Sequence, residues 1–104
     1  MAYEIAFAHN AIGHLAALTA RERSLVLSAI EKQLSHEPAV ETRNRKLLRP
    51  NPLASWELRV GVLRIFYDIV TTRVTPDAAA IVRILAVGKK ERDVLRIGGE
   101  RVEL

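Results

Sequence analysis

The sequence predicts an α+β fold: an N-terminal strand, a helical hairpin, then an antiparallel β-sheet of three to four strands with the helices on one face. Three observations carry the prediction. Apolar residues recur at helical spacing between about residues 10 and 36. From residue 55 onward the apolar period changes to two. Between them lies a polar, basic stretch punctuated by Pro50 and Pro52, which keep the backbone extended or turning.

The elements follow in order. "YEIAFA" (3–8) alternates, with Tyr3, Ile5 and Phe7 on one side of a first strand. Asn10 can cap a short helix in which Ile12, Leu15, Ala16 and Leu18 fall at helical spacing. Thr19 and Glu22 form the pattern of a capping box. The helix they open, about 20 to 36, puts Val26, Ile30 and Leu34 on one stripe with Leu27 beside it. Pro38 stops it, and so short a break between the helices predicts an antiparallel pair.

Residues 39–54 read as a loop in which "RKLLR" holds a short strand or a turn of helix. "SWELRV" then places Trp56, Leu58 and Val60 on one face and Glu57 and Arg59 on the other. "LRIFYDIV" sets Leu63, Ile65, Tyr67 and Ile69 against Arg64, Phe66 and Asp68. A Gly61-Val62 loop between the two suits a type II′ hairpin, which has Gly first. "VTPDA" (74–78) is a turn, and "AIVRILAVG" (80–88) is apolar on both faces, hence a central strand. The tail "LRIGGERVEL" reads as a Gly-Gly hairpin.

A chain of 104 residues, 49% apolar, makes a single domain over 1–104 with a modest core. With no cysteine it has neither disulfides nor thiolate metal sites. His9, His14 and His36 lack ligand spacing and are read as surface or partner-facing, so no metal or cofactor is expected. The first residues lack the pattern of a signal peptide, and no apolar run approaches the ~20 residues a membrane span needs. A cytoplasmic protein is the expectation. Charge is uneven: three Lys/Arg stand against four acids in residues 1–40, and thirteen against eight in residues 41–104. Such a basic half suits either a polyanion-binding face or an ordinary solvated surface, and composition leaves both open.

The stretch "RVGVLRIFYD" (59–68) carries the chemistry. With Gly61-Val62 as the loop, Arg59 pairs with Arg64, Leu58 with Ile65, Glu57 with Phe66 and Trp56 with Tyr67. Facing like charges destabilise a sheet. They become tolerable when an anion lies between them, and phosphate suits two guanidinium forks. Two other readings stay open: a register slip that separates the arginines, and an ordinary salt bridge from Glu57. There is no Gly-rich phosphate loop and no nucleophile elbow. Ser24, Ser28, Ser35 and Ser55 read as helix-surface or loop residues.

"NRKLLRPNPLASWELRVGVLRIFYDIV…VRILAVGKKER" closely resembles the RelE/ParE superfamily of type II toxin–antitoxin toxins. That family has a Leu-rich basic loop, an aromatic-x-Leu-Arg strand, an Arg-x-x-Tyr strand and a late strand ending in Val-Gly and basic residues. The resemblance implies the fold derived above. It also implies a toxin, encoded with a cognate antitoxin, that acts as a metal-independent mRNA endoribonuclease on the ribosome. The alternatives it carries are a non-enzymatic inhibitor of DNA gyrase and a degenerate member that only binds its antitoxin. Carried across, Arg64 falls on the phosphate-contacting arginine and Lys90 on a second active-site arginine. Glu57 falls on a strand position that is lysine in the type member, and is the candidate base. Arg96 falls where a C-terminal tyrosine would stand. Arg59, Lys46, Lys89, Arg92 and Arg96 complete the expected substrate-binding set.

Overall fold

The computed structural model describes residues 3–71 and 80–104. The "VTPDA" turn expected at 74–78 lies outside them. The elements are β1 (Glu4–Phe7), α1 (His9–Ala16), α2 (Ala20–Leu34), β2 (Arg45–Leu47), β3 (Trp56–Val60), β4 (Leu63–Thr71), β5 (Ala80–Glu91), β6 (Val94–Ile97) and β7 (Glu100–Val102). Strands β2 to β7 lie side by side in sequence order, each antiparallel to the next. β1 instead runs parallel to β5, from Glu4↔Ile81 to Phe7↔Ile84. The α+β reading holds, and the sheet is wider than three to four strands. The additional strands, three or four residues long, are β2, where the sequence predicts a short strand or a turn of helix in "RKLLR", and β6–β7, the expected Gly-Gly hairpin, which joins the sheet through β5.

Local chemistry explains the helix boundaries. The Thr19 hydroxyl accepts from Glu22 N–H at 3.1 Å while Glu22 Oε1 accepts from Thr19 N–H at 3.0 Å, closing the capping box. α2 ends at Leu34, two residues before the sequence expectation, with Ser35 as its C-cap. α1 starts differently. Ala8 is the N-cap and makes no side-chain cap, so Asn10 lies within the first turn instead of capping it. The Ala8 N–H bonds to the Ile84 carbonyl at 2.8 Å, so pairing to β5 fixes where the helix begins. Arg23 ties the helices together by donating to the carbonyls of Leu15 (3.1 Å) and Leu18 (3.0 Å).

The main core lies between the helices and one face of the sheet. Val26, Ile30 and Leu34 of α2 pack with Leu58, Ile65, Tyr67, Val82 and Ile84. Two expected core positions face solvent: Ile12, where Ala11 is the buried residue of α1, and Leu27. Trp56 stacks on Tyr67 with ring centroids 6.0 Å apart. The Tyr67 hydroxyl donates to the Pro38 carbonyl at 2.7 Å, and burial raises its pKa well above the ordinary tyrosine value. Pro38 therefore does more than stop α2. It anchors the following loop to the sheet.

The opposite face is not open, as the sequence suggested. Phe66 and Ala86 are buried there in a second, smaller cluster with Ala54 and Ile97, covered by residues from the 48–54 loop and from β6–β7. Phe66 is the cause: a fully apolar ring on the outer face must be covered to stay out of water. Among the described residues, no helix is long and apolar enough to cross a membrane.

Candidate anion-binding groove

The β3–β4 hairpin has the register derived from the sequence: Val60↔Leu63, Arg59↔Arg64, Leu58↔Ile65, Glu57↔Phe66 and Trp56↔Tyr67. Gly61 has φ +58° and Val62 keeps a negative φ, the arrangement of a loop with Gly first. The Arg59 N–H points away from Arg64, to the Asn44 carbonyl at 2.8 Å. Arg59 and Arg64 thus sit at a non-hydrogen-bonded position of the ladder, where facing side chains come closest.

The anion between the two arginines belongs to the chain itself. Glu57 Oε2 lies 3.3 Å from Arg59 Nε, and Glu57 Oε1 lies 3.5 Å from Arg64 Nε. The Arg64 contact lacks hydrogen-bond geometry, so it is electrostatic. Glu57 is buried with 9% of its side chain exposed, against 13% for Arg64 and 37% for Arg59. Arg64 also donates through Nη1 to the carbonyls of Gly61 (2.6 Å) and Leu63 (2.9 Å), which holds it to its own hairpin loop. Burial pulls the Arg64 guanidinium below its usual pKa. Glu57 opposes that shift and Arg59 adds to it.

A groove of about 850 Å³ crosses this face, with Glu57, Arg59 and Lys90 among the residues that line it. One wall is Leu48, Arg49, Pro50 and Asn51, and the other comes from β6–β7 and the residues beyond. Arg64 does not line the groove. Its Nε stands 3.5 Å from Glu57 Oε1 instead. Across β4–β5, Arg64 faces Gly88, which is buried. A Cβ there would overlap the Arg96 carbonyl and meet Ile97 at 2.8 Å, so no side chain fits beside Arg64 at this point.

The remaining expected site residues divide between the two faces of the sheet. Lys46 pairs with Glu57 and is exposed on the groove side. Lys90 lines the groove, while its neighbour Lys89 projects to the helix side and binds Glu22 of α2 at 2.6 Å. Lys89, most strongly, and the Thr19 hydrogen bonds hold the Glu22 carboxyl below its ordinary value. Arg96 pairs with Lys89 and shares that far face. Arg92 is exposed in the β5–β6 turn with φ +51°. β5 thus runs on through Lys89, Lys90 and Glu91, past the Gly88 at which the sequence reading ends the strand.

Sequence reasoning missed Arg49 and Arg101, which also line the groove. It also read all three histidines as surface or partner-facing. His14 instead packs on the sheet, with Nδ1 accepting from Val87 N–H at 3.2 Å. It fills the stretch of β5 between the residues paired with β1 and those paired with β6. Burial lowers its pKa.

No family model and no curated protein matches the chain. Among solved structures it is similar to a chain of the toxin-antitoxin complex RelBE2 from Mycobacterium tuberculosis, with a TM-score of 0.65 and 28% identity. The match covers 84% of this chain and 96% of the other. The fold is that of a RelE-type toxin.

Proposed function

Proceeding from a RelE-type toxin fold, we propose that this protein is the toxin of a toxin–antitoxin pair and that it cuts mRNA on the ribosome. The similarity to a chain of a toxin-antitoxin complex supports the toxin role and an antitoxin partner. The observation that carries the ribonuclease reading is Glu57 fixed between Arg59 and Arg64 in the wall of a groove that also holds Lys90.

In this reading the 2′-hydroxyl of the RNA attacks the adjacent phosphorus and Glu57 takes its proton. The bond to the 5′-oxygen breaks, that oxygen takes a proton from water, the hydroxide left takes back the proton held by Glu57, and a 2′,3′-cyclic phosphate remains. Arg59 and Lys90 stabilise the charge on the phosphorane, the largest contribution such groups can make. The base adds a factor of about 10² to 10⁴. Arg64 positions Glu57, and Lys46 meets RNA entering along β2. Lys89, Arg92 and Arg96 lie away from the reacting phosphate and serve, if they touch RNA, only its more distant backbone.

The test is direct. Purified protein added to mRNA-programmed ribosomes should cut the message, and the same protein should leave gyrase supercoiling unaffected. Intact message together with inhibited supercoiling would replace this reading with that of a gyrase inhibitor.

A further inference from the structure

The loop of residues 48–54, whose first four residues form one wall of the groove, has no regular secondary structure, yet one side chain organises it. Asn51 Nδ2 donates to the carbonyls of Arg49 (2.7 Å) and Ala54 (3.0 Å). Its Oδ1 accepts from the N–H groups of Leu53 (2.8 Å) and Ala54 (3.1 Å). Four hydrogen bonds from one amide satisfy backbone groups that a loop would otherwise leave to water. Prolines at 50 and 52 restrict the backbone on both sides of it. At the far end, Ala54 is buried against the Phe66 cluster, so the clamp is fastened to the sheet.

A wall held this firmly has a consequence for the residue at its near end. Arg49 is exposed, lines the groove, and forms no ion pair among the described residues. Its backbone is one of the four groups that Asn51 grips. We propose that Arg49 binds the RNA phosphate next to the one being cut, and that Asn51 is the positioning residue that holds it there. This rests on the reading of the groove as an mRNA site. It fits a division of labour within the groove, where Arg59 on β3 is partly engaged by Glu57 while Arg49 on the loop wall forms no ion pair among the described residues. A phosphodiester chain in the groove presents successive charges, and a second guanidinium on a fixed support binds the next one without ordering a loose side chain's backbone.

The experiment measures cleavage kinetics on mRNA-programmed ribosomes for wild type, Arg49→Ala, Arg49→Lys, Asn51→Ala and Asn51→Asp, with Lys32→Ala as a control on the exposed face of α2. Arg49→Ala should raise KM about tenfold, the order of one charge-assisted contact, with kcat within about twofold of wild type. Arg49→Lys should recover most of the loss. Asn51→Asp keeps the acceptor for Leu53 and Ala54 but loses both donors. It should raise KM as Asn51→Ala does, at temperatures where melting curves show each variant folded. An unchanged KM in Arg49→Ala while wild type cuts would overturn this proposal alone. A lower kcat with unchanged KM in both Asn51 variants would remove the positioning role. A wild type that cuts nothing would overturn the proposal together with the reading beneath it.

Discussion

Arg59 and Arg64 face each other across a two-residue hairpin, and the charge that makes this tolerable is the Glu57 carboxylate of the same strand pair. Two like charges at facing positions cost a sheet stability. A buried carboxylate between them converts that cost into a three-membered network in which neither Glu57 nor Arg64, its two less exposed members, can be removed cheaply.

Glu57→Ala should therefore destabilise the fold by about 3 kcal/mol, because it leaves two guanidinium groups facing each other with the buried one unpaired. Urea unfolding would measure it. The double variant Glu57→Ala, Arg64→Ala should recover part of the loss, and a fully additive cost would mean that the pair does not interact.

The two arginines should separate in function. Arg59, the more exposed, should when changed to Ala lose most cleavage with little effect on stability. Arg64→Ala should lose stability as well as activity, since its Nη1 bonds hold the Gly61 and Leu63 carbonyls. Equal melting temperatures for the two variants would contradict this assignment.

Gly88→Ala should cost about 1–3 kcal/mol, since even one methyl group collides with the backbone at Arg96. A variant as stable as wild type by thermal unfolding would show that β6 yields at no cost.

His14 supplies a pH dependence. Its folded-state pKa lies below the ordinary 6.5, so the fold favours neutral imidazole, with Nδ1 free to accept from Val87. The stability it contributes is present above pH 6.5 and is lost as the pH falls below that value. The melting temperature of wild type should drop across pH 6.5 to 5 more steeply than that of His14→Gln, whose side-chain oxygen still accepts. Parallel profiles would remove His14 as the cause.

Much of the fold was legible because its signals are local. The Thr19–Glu22 box, the Trp56–Val60 and Leu63–Ile69 alternation and the Gly61 loop each state their structure within a few residues. The hairpin register followed from them, and with it the pairing of Arg59 with Arg64. What could not be read depends on distant partners. Ala11 rather than Ile12 faces the core because Ala8 pairs with Ile84 before the helix begins. His14 is drawn to a gap on β5 that only the separate pairing of β1 and β6 creates. For the site, alternation along β5 already separates Lys89 from Lys90. Burial of Glu57 and Arg64, however, comes from the loop and the tail hairpin that close over Phe66. Asn51 between two prolines was the available sign of a turn, and its four-bond clamp is visible only once the loop is folded.

The chemistry of the cut end tests the central claim most directly. Message cleaved on programmed ribosomes in EDTA, with magnesium supplied only as needed to keep the ribosome intact, should carry a 2′,3′-cyclic phosphate, because attack by the RNA's own 2′-hydroxyl leaves that product. Glu57→Gln should slow the reaction by about 10² or more while ribosome binding changes little. A 5′-phosphate at the cut, or a Glu57→Gln protein that cleaves as fast as wild type, would contradict the account.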